Sequence, residues 1–265
     1  MASGETITDS ITETVKTVVY ALLIAGVFRT LFFQPYWIPS GSMKDTLLIG
    51  DFLFVNKMAY GYSQYSCPFA ACPFIEDRWF GDDPERGDVV VFRHPVNGSD
   101  FIKRVVGLPG DTVQMKEGRL HINGTALPFE RNGSFEEIME PQGSAGLRPQ
   151  CSNAPVGDGA VCLKDKYIET TPEGRSYSVL DTAYNPNRRQ DETPVYTVPE
   201  GHFFFIGDNR DNSTDSRVSQ LAGGVGYVPA ANLIGRADRG MFSSAGSSLF
   251  FFWTWRGDRL FKAIE

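Results

Sequence analysis

Histidine is scarce, with only His94, His121 and His202 among 265 residues. A Ser-His-Asp triad would need one of them as its base. They fall in a polar loop, a turn-rich hairpin and the first position of an apolar run, and none has a distinctive context. Cysteine is scarce too. Cys67, Cys72, Cys151 and Cys162 are spaced C-x4-C and C-x10-C with no histidine close by, so a structural zinc site is not expected. A basic excess is also missing: 25 Lys and Arg stand against 32 Asp and Glu, a formal net charge of −7, with no cationic stripe. That balance excludes a nucleic-acid partner. A calcium loop starting at Asp211 would need glycine and glutamate where Ser216 and Ala222 stand, and it is set aside as well.

Only one apolar run is long. Thr17 to Phe33 hold seventeen residues with a single charge, Arg29. A spanning helix needs about 20 mainly apolar residues, and Tyr36 and Trp37 extend the run with rings suited to a bilayer interface. A buried core helix would read the same way. A cleaved leader should open on positive charge and close on small residues, whereas Glu5, Asp9 and Glu13 oppose Lys16 and the run leads into Gln34-Pro35-Tyr36-Trp37. An uncleaved anchor over residues 1–35 is therefore expected. The single tail lysine leaves its orientation open. Near the end, residues 249–255 (LFFFWTW) precede Arg256, Arg259 and Lys262; too short to cross a bilayer, they either pack on the core or lie in the interface.

The remainder, 42% apolar and 22% charged overall, reads as a globular, mainly β protein. Leu47 to Val55 suggest one bent strand or two short ones, and residues 60–86 a loop. Val89-Val90-Val91-Phe92 and Phe101 to Val106, joined by a polar segment, read as a hairpin. Turn signals at Glu117-Gly118 and Asn123-Gly124 mark a small hairpin array. Residues 131–165 read as a long loop, with strands resuming at Tyr177–Leu180, Val195–Val198, His202–Ile206 and near Val225–Gly235. The expected organisation is a β core of 36–111 and 199–240, an inserted smaller β domain of 112–198, and a C-terminal segment of 241–265. If the large domain lies outside the cytoplasm, the local pairs Cys67–Cys72 and Cys151–Cys162 are the expected disulfides, although four cysteines allow three connectivities.

Two places carry candidate chemistry. Pro39-Ser40-Gly41-Ser42-Met43 follows the anchor, and its proline and glycine would hold Ser42 on a sharp, exposed turn. In Ile102-Lys103-Arg104-Val105, adjacent cations interrupt an apolar strand and point to opposite faces, so one of the two is expected to be buried. Lysine loses its proton readily in a low-dielectric site and arginine does not. With no histidine suited to the task, a Ser42–Lys103 dyad is the candidate, the amine pKa falling towards neutrality through burial and the nearby Arg104.

Four stretches, in order, resemble the type I bacterial signal (leader) peptidase family: Ile38–Met43 with Thr46-Leu47 and Gly50-Asp51; Gly87–Phe92; Ile102–Asp111; and Gly207–Ser213 with Asp215-Ser216-Arg217. Tyr20–Ile24 and the single anchor look like the alphaproteobacterial branch. The resemblance implies an N-terminal transmembrane helix and a β-rich catalytic domain with an inserted smaller β domain. It implies Ser42 as nucleophile, Lys103 as general base, and an oxyanion hole of Ser40 hydroxyl and Ser42 N–H. Ser213 would orient the Lys103 amine, Asp215 and Arg217 would form a supporting ion pair beside Arg104, and Ile38, Met43, Leu47 and Ile102 would line pockets for small side chains. Neither metal nor cofactor is implied. The expected partners are preproteins with signal peptides, the lipid bilayer and, as a further candidate, the secretion translocon; the place is the bacterial inner membrane, catalytic domain on the periplasmic side. Asp45 departs from the family, which usually has proline there. An autopeptidase of the same fold group and a tethered binding protein with a dead site are the competing expectations.

Overall fold

The computed structural model describes residues 7–67, 72–75, 77–143, 146–182, 184–246 and 251–264. Ile7–Leu31 form one α-helix, α1, whose segment Ser10–Leu31 is long and apolar enough to cross a membrane, with none of its apolar window buried; its C-terminal end meets the rest of the chain where Tyr62 Oη donates to Leu31 O. Tyr36 and Trp37 do not extend this helix. Gln34-Pro35 cannot continue it, because proline has no N–H and disfavours helical geometry at the residue before it. The chain turns at once into strand β1, Phe33–Trp37.

Thirteen further strands follow among the described residues: β2 Asp51–Asn56, β3 Val89–Arg93, β4 Asp100–Gly107, β5 Thr112–Lys116, β6 Arg119–Ile122, β7 Thr125–Ala126, β8 Phe129–Ile138, β9 Val161–Thr170, β10 Ser176–Asp181, β11 Tyr196–Thr197, β12 His202–Ile206, β13 Val228–Pro229 and β14 Leu233–Ser243. The main sheet runs β1-β2-β14-β3-β4-β12-β13, while β10-β9-β8 and β11-β5-β6-β7 form two smaller sheets. The fold is mainly β. Proline at position 35 is tolerated because β1 is an edge strand. Val89 to Phe92 and Phe203 to Ile206 are buried on both faces, which explains their unbroken apolar sequence. Phe92 stacks on Phe205 at 4.5 Å, and burying each such side chain contributes about 1.5–3 kcal/mol.

Three expectations need correction. The segment 131–165 is not loop throughout: β8 and β9 pair antiparallel from Phe129↔Glu169 to Ile138↔Val161, and the described residues of 139–160 between them form the loop. Alternation was hidden because β8 is exposed along most of its length, and a register shift between Arg131 and Ser134 interrupts it. The apolar stretch from Leu47 is not a strand until Asp51; Gly50, at φ 92°, makes the turn before it. Both cations of β4 are buried, Lys103 at 3% and Arg104 at 1% exposure, because β10 lays Tyr177 across the second face, its ring 4.1 Å from the Arg104 guanidinium.

Both local disulfides form, Cys67–Cys72 and Cys151–Cys162, with Cα–Cα distances of 5.7 and 5.2 Å. Of the C-terminal aromatic run, Leu249 and Phe250 lie outside the described residues. Trp255 stacks on Phe242 at 5.1 Å and Phe242 on Phe52 at 4.9 Å, so the end of the run packs on the sheet. Phe251, Phe252 and Trp253 face solvent.

Candidate active site

Residues 38–51 form a loop pinched at its neck. Ile38 N–H donates to Asp51 O at 2.9 Å, and Gly50 N–H donates back to Ile38 O at 3.0 Å. The neck is locked further by Asp51, whose carboxylate accepts from Leu48 N–H and from the Arg259 guanidinium. From the far side, Asn209 grips the crown: its N–H donates to Ser42 O at 3.1 Å and its Nδ2 to Gly41 O at 2.8 Å. Gly207 lets that approach happen, since a Cβ there would lie 2.6 Å from Ser42 O and 2.2 Å from Ser213 Oγ.

This loop brings Ser42 to β4. Lys103 Nζ hydrogen-bonds Ser42 Oγ at 2.6 Å and donates to Ile102 O at 2.9 Å. Burial pushes the Lys103 amine down to about 8; Asp215 and Asp208 pull it up against that, and Arg217 pushes it further down. A neutral amine has a lone pair for the serine proton and hydrogens left for a carbonyl, which matches the two contacts. Arg104 is not the cation that lowers Lys103. It points to the opposite face and forks onto Asp208 at 2.8 and 2.7 Å, with Nη1 donating to Gly87 O at 2.6 Å.

Asp215 and Arg217 form the expected ion pair, at 2.9 and 2.8 Å and wholly buried. Burial disfavours the Asp215 charge, but Arg217, Gly207 N–H and nearby Ser213 outweigh it and hold the carboxyl below its ordinary range. Ser213 makes no hydrogen bond to Lys103, whose Nζ is bonded to Ser42 Oγ and Ile102 O. Its hydroxyl is buried beside Asp215 without a hydrogen bond of ordinary geometry. Ser40 is solvent-exposed, its Oγ 3.4 Å from Ser42 Oγ. Ser42 N–H has no acceptor among the described residues. Ile38, Met43 and Leu47 are packed into the core with Val91 and Ile234, and Ile102 packs against that cluster while remaining partly exposed. None of the three histidines touches the pair; His94 is buried and accepts from Val96 and Asn97 N–H.

Sequence reasoning gave no role to Thr46, Asp208 or Asn209. Thr46 Oγ1 donates to Asp208 Oδ2 at 2.5 Å, so Asp208 links the Arg104 face to the Ser42 loop. The signal available was their presence in the Gly207–Ser213 and Thr46-Leu47 stretches, without any indication of what they grip.

A serine hydroxyl bonded to a buried amine, with an unengaged N–H and a second hydroxyl beside it, is the arrangement of a candidate serine-lysine acyl-transfer enzyme. The chain belongs to the signal peptidase family, peptidase S26, whose model matches residues 11–242, and is an enzyme of that family. Signal peptidase I of Rickettsia typhi is 39% identical over 246 residues, covering 88% of this chain and 83% of the relative. That of Rickettsia prowazekii is 39% identical over 231 residues, covering 85% and 78%. A solved signal peptidase I from Enterococcus faecalis V583 aligns with 58% of this chain and 97% of its own at 25% identity and a TM-score of 0.29, too low for its coordinates to bear on the geometry.

Proposed function

We propose that this enzyme is a membrane-bound endopeptidase that removes N-terminal signal peptides from exported preproteins at small-x-small sites, with Ser42 as nucleophile and Lys103 as general base. The observation that carries the reading is the 2.6 Å contact between Ser42 Oγ and an amine lowered to about 8. Lys103 takes the hydroxyl proton as Ser42 attacks the scissile carbonyl, then gives it to the departing amine. Water, deprotonated by the same lysine, releases the acyl group from Ser42. Ser42 N–H and Ser40 hydroxyl are aimed at the oxyanion, a contribution of about 2.7–4 kcal/mol for a donor of this kind. Asp215 and Arg217 act at one remove, setting the charge felt by Lys103. Ile102, with Ile38, Met43 and Leu47 of the apolar cluster behind it, lines the side-chain pockets.

The apolar α1 and the exposed aromatics support a bilayer as the working surface. The protein belongs in the bacterial inner membrane with its tail cytoplasmic, its catalytic domain of 36–111 and 199–240 on the periplasmic side, and the translocon as a candidate neighbour. Two disulfides fit that compartment. Cleavage of a preprotein bearing an A-x-A site, followed by gel and by mass of the product, tests the reading. Ser42→Ala, Lys103→Met and Lys103→Arg should each abolish it, the last because guanidinium cannot act as a base. Turnover by either Lys103 variant would overturn the assignment.

A further inference from the structure

Lys44 lies two residues past Ser42 and is buried, at 6% exposure. Its stem folds back over Gly41: a Cβ built there would lie 3.1 Å from Lys44 Cε and 3.4 Å from Cδ. The ammonium crosses to the insertion, where it donates to Glu137 of β8 and to Gln142 Oε1 at 2.6 Å. Gln142 Nε2 donates to the same Glu137 oxygen at 2.8 Å. Lys164 of β9 faces the other Glu137 oxygen at 2.9 Å, so one carboxylate sits between two buried ammoniums. Burial disfavours the Glu137 charge, but Lys164 and Lys44 outweigh it and hold the carboxyl below its ordinary range. β8 is exposed along most of its length, yet the Glu137 side chain is only 8% exposed, covered by Lys44 of the Ser42 loop together with Gln142 and Lys164.

Two further contacts flank this one. Asp45 accepts from Lys166 of β9. Gly143 lies against the segment before the serine, where a Cβ would stand 2.4 Å from Pro39 O. The inserted ribbon therefore touches the loop on both sides of Ser42, at Pro39 and at Lys44-Asp45.

We propose that Glu137 is a positioning residue for the reaction, keeping the Ser42 turn in register with Lys103 by anchoring the Lys44 ammonium; this rests on the Ser42–Lys103 reading above. Without Glu137, two buried cations confront each other unpaired, and the easier relief is for Lys44 to swing into water, taking its stem off Gly41. The hydroxyl then loses its fixed approach, and a displacement of about 1 Å can cost about 100-fold in rate.

The test uses the full chain in detergent and a preprotein substrate, with Glu137→Ala and Lys44→Ala singly and together, and Glu136→Ala as the exposed neighbour. Each of the first two should lower kcat about tenfold or more with KM changed less than about twofold. The double variant should lose no more than the worse single one, because both act through one contact. The acid limb of the pH profile should not move, since neither Lys44 nor Glu137 is among the charges acting on Lys103. If Glu137→Ala does not fold, Lys44→Ala carries the test, because Glu137 then still pairs with Lys164. Wild-type kcat in either single variant, additive losses, or a limb displaced by water reaching Lys103 would each overturn the proposal. Retained cleavage in Ser42→Ala would instead overturn the reading beneath it.

Discussion

The amine at position 103 should govern how cleavage depends on pH. Its lowering from 10.5 to about 8 corresponds to about 3 kcal/mol in favour of the neutral form. Only the neutral amine is a base, so activity is lost as pH falls through 8 and is fully present above it. At pH 7 about one molecule in ten, and at pH 9 about nine in ten, would hold the neutral form, so kcat/KM should rise about tenfold between them. Asp215 is the charge that opposes this shift most, and Arg217 the one assisting it. Asp215→Asn removes the first and keeps the second, so the acid limb should move to lower pH. The assay is initial-rate cleavage of a preprotein by detergent-solubilised protein from pH 6 to 10. The limb's position does not depend on how much of the variant is active. A wild-type limb near 10.5, or a limb that Asp215→Asn moves upward, would refute the reasoning.

Arg104→Met should leave Asp208 buried without its charge partner and destabilise the protein by about 3–5 kcal/mol, read as a lower midpoint in chemical denaturation. An unchanged midpoint would mean the pair contributes nothing. Phe251→Ser with Trp253→Ser, in protein lacking residues 1–31, should weaken binding to anionic vesicles in a sedimentation assay, because those rings face solvent and suit the interface. Equal binding would remove the C-terminal segment from the membrane surface.

The chemical pair was legible in the sequence because proline and glycine around Ser42 and cations inside an apolar strand are local anomalies. The fold class was legible for a similar reason: β3 and β12 are buried on both faces, and unbroken Val and Phe runs declare it. What was not legible depends on residues far apart in the chain. That both Lys103 and Arg104 are buried requires β10 to return across β4 with Tyr177, which the β4 sequence does not encode. Likewise Glu137 meets Lys44 across 93 positions, and no spacing rule links them. The β8–β9 ribbon itself was missed because a strand exposed on both faces has no apolar alternation to read.

The central claim is that Ser42 is made nucleophilic by Lys103 alone. A serine-directed acylating probe, applied to the detergent-solubilised protein and followed by peptide mass mapping, tests it most directly. The label should appear on the peptide containing Ser42, should form faster at pH 9 than at pH 7, and should be absent from Lys103→Met. Equal labelling of Ser42 in Lys103→Met, or labelling of a different serine, would contradict it.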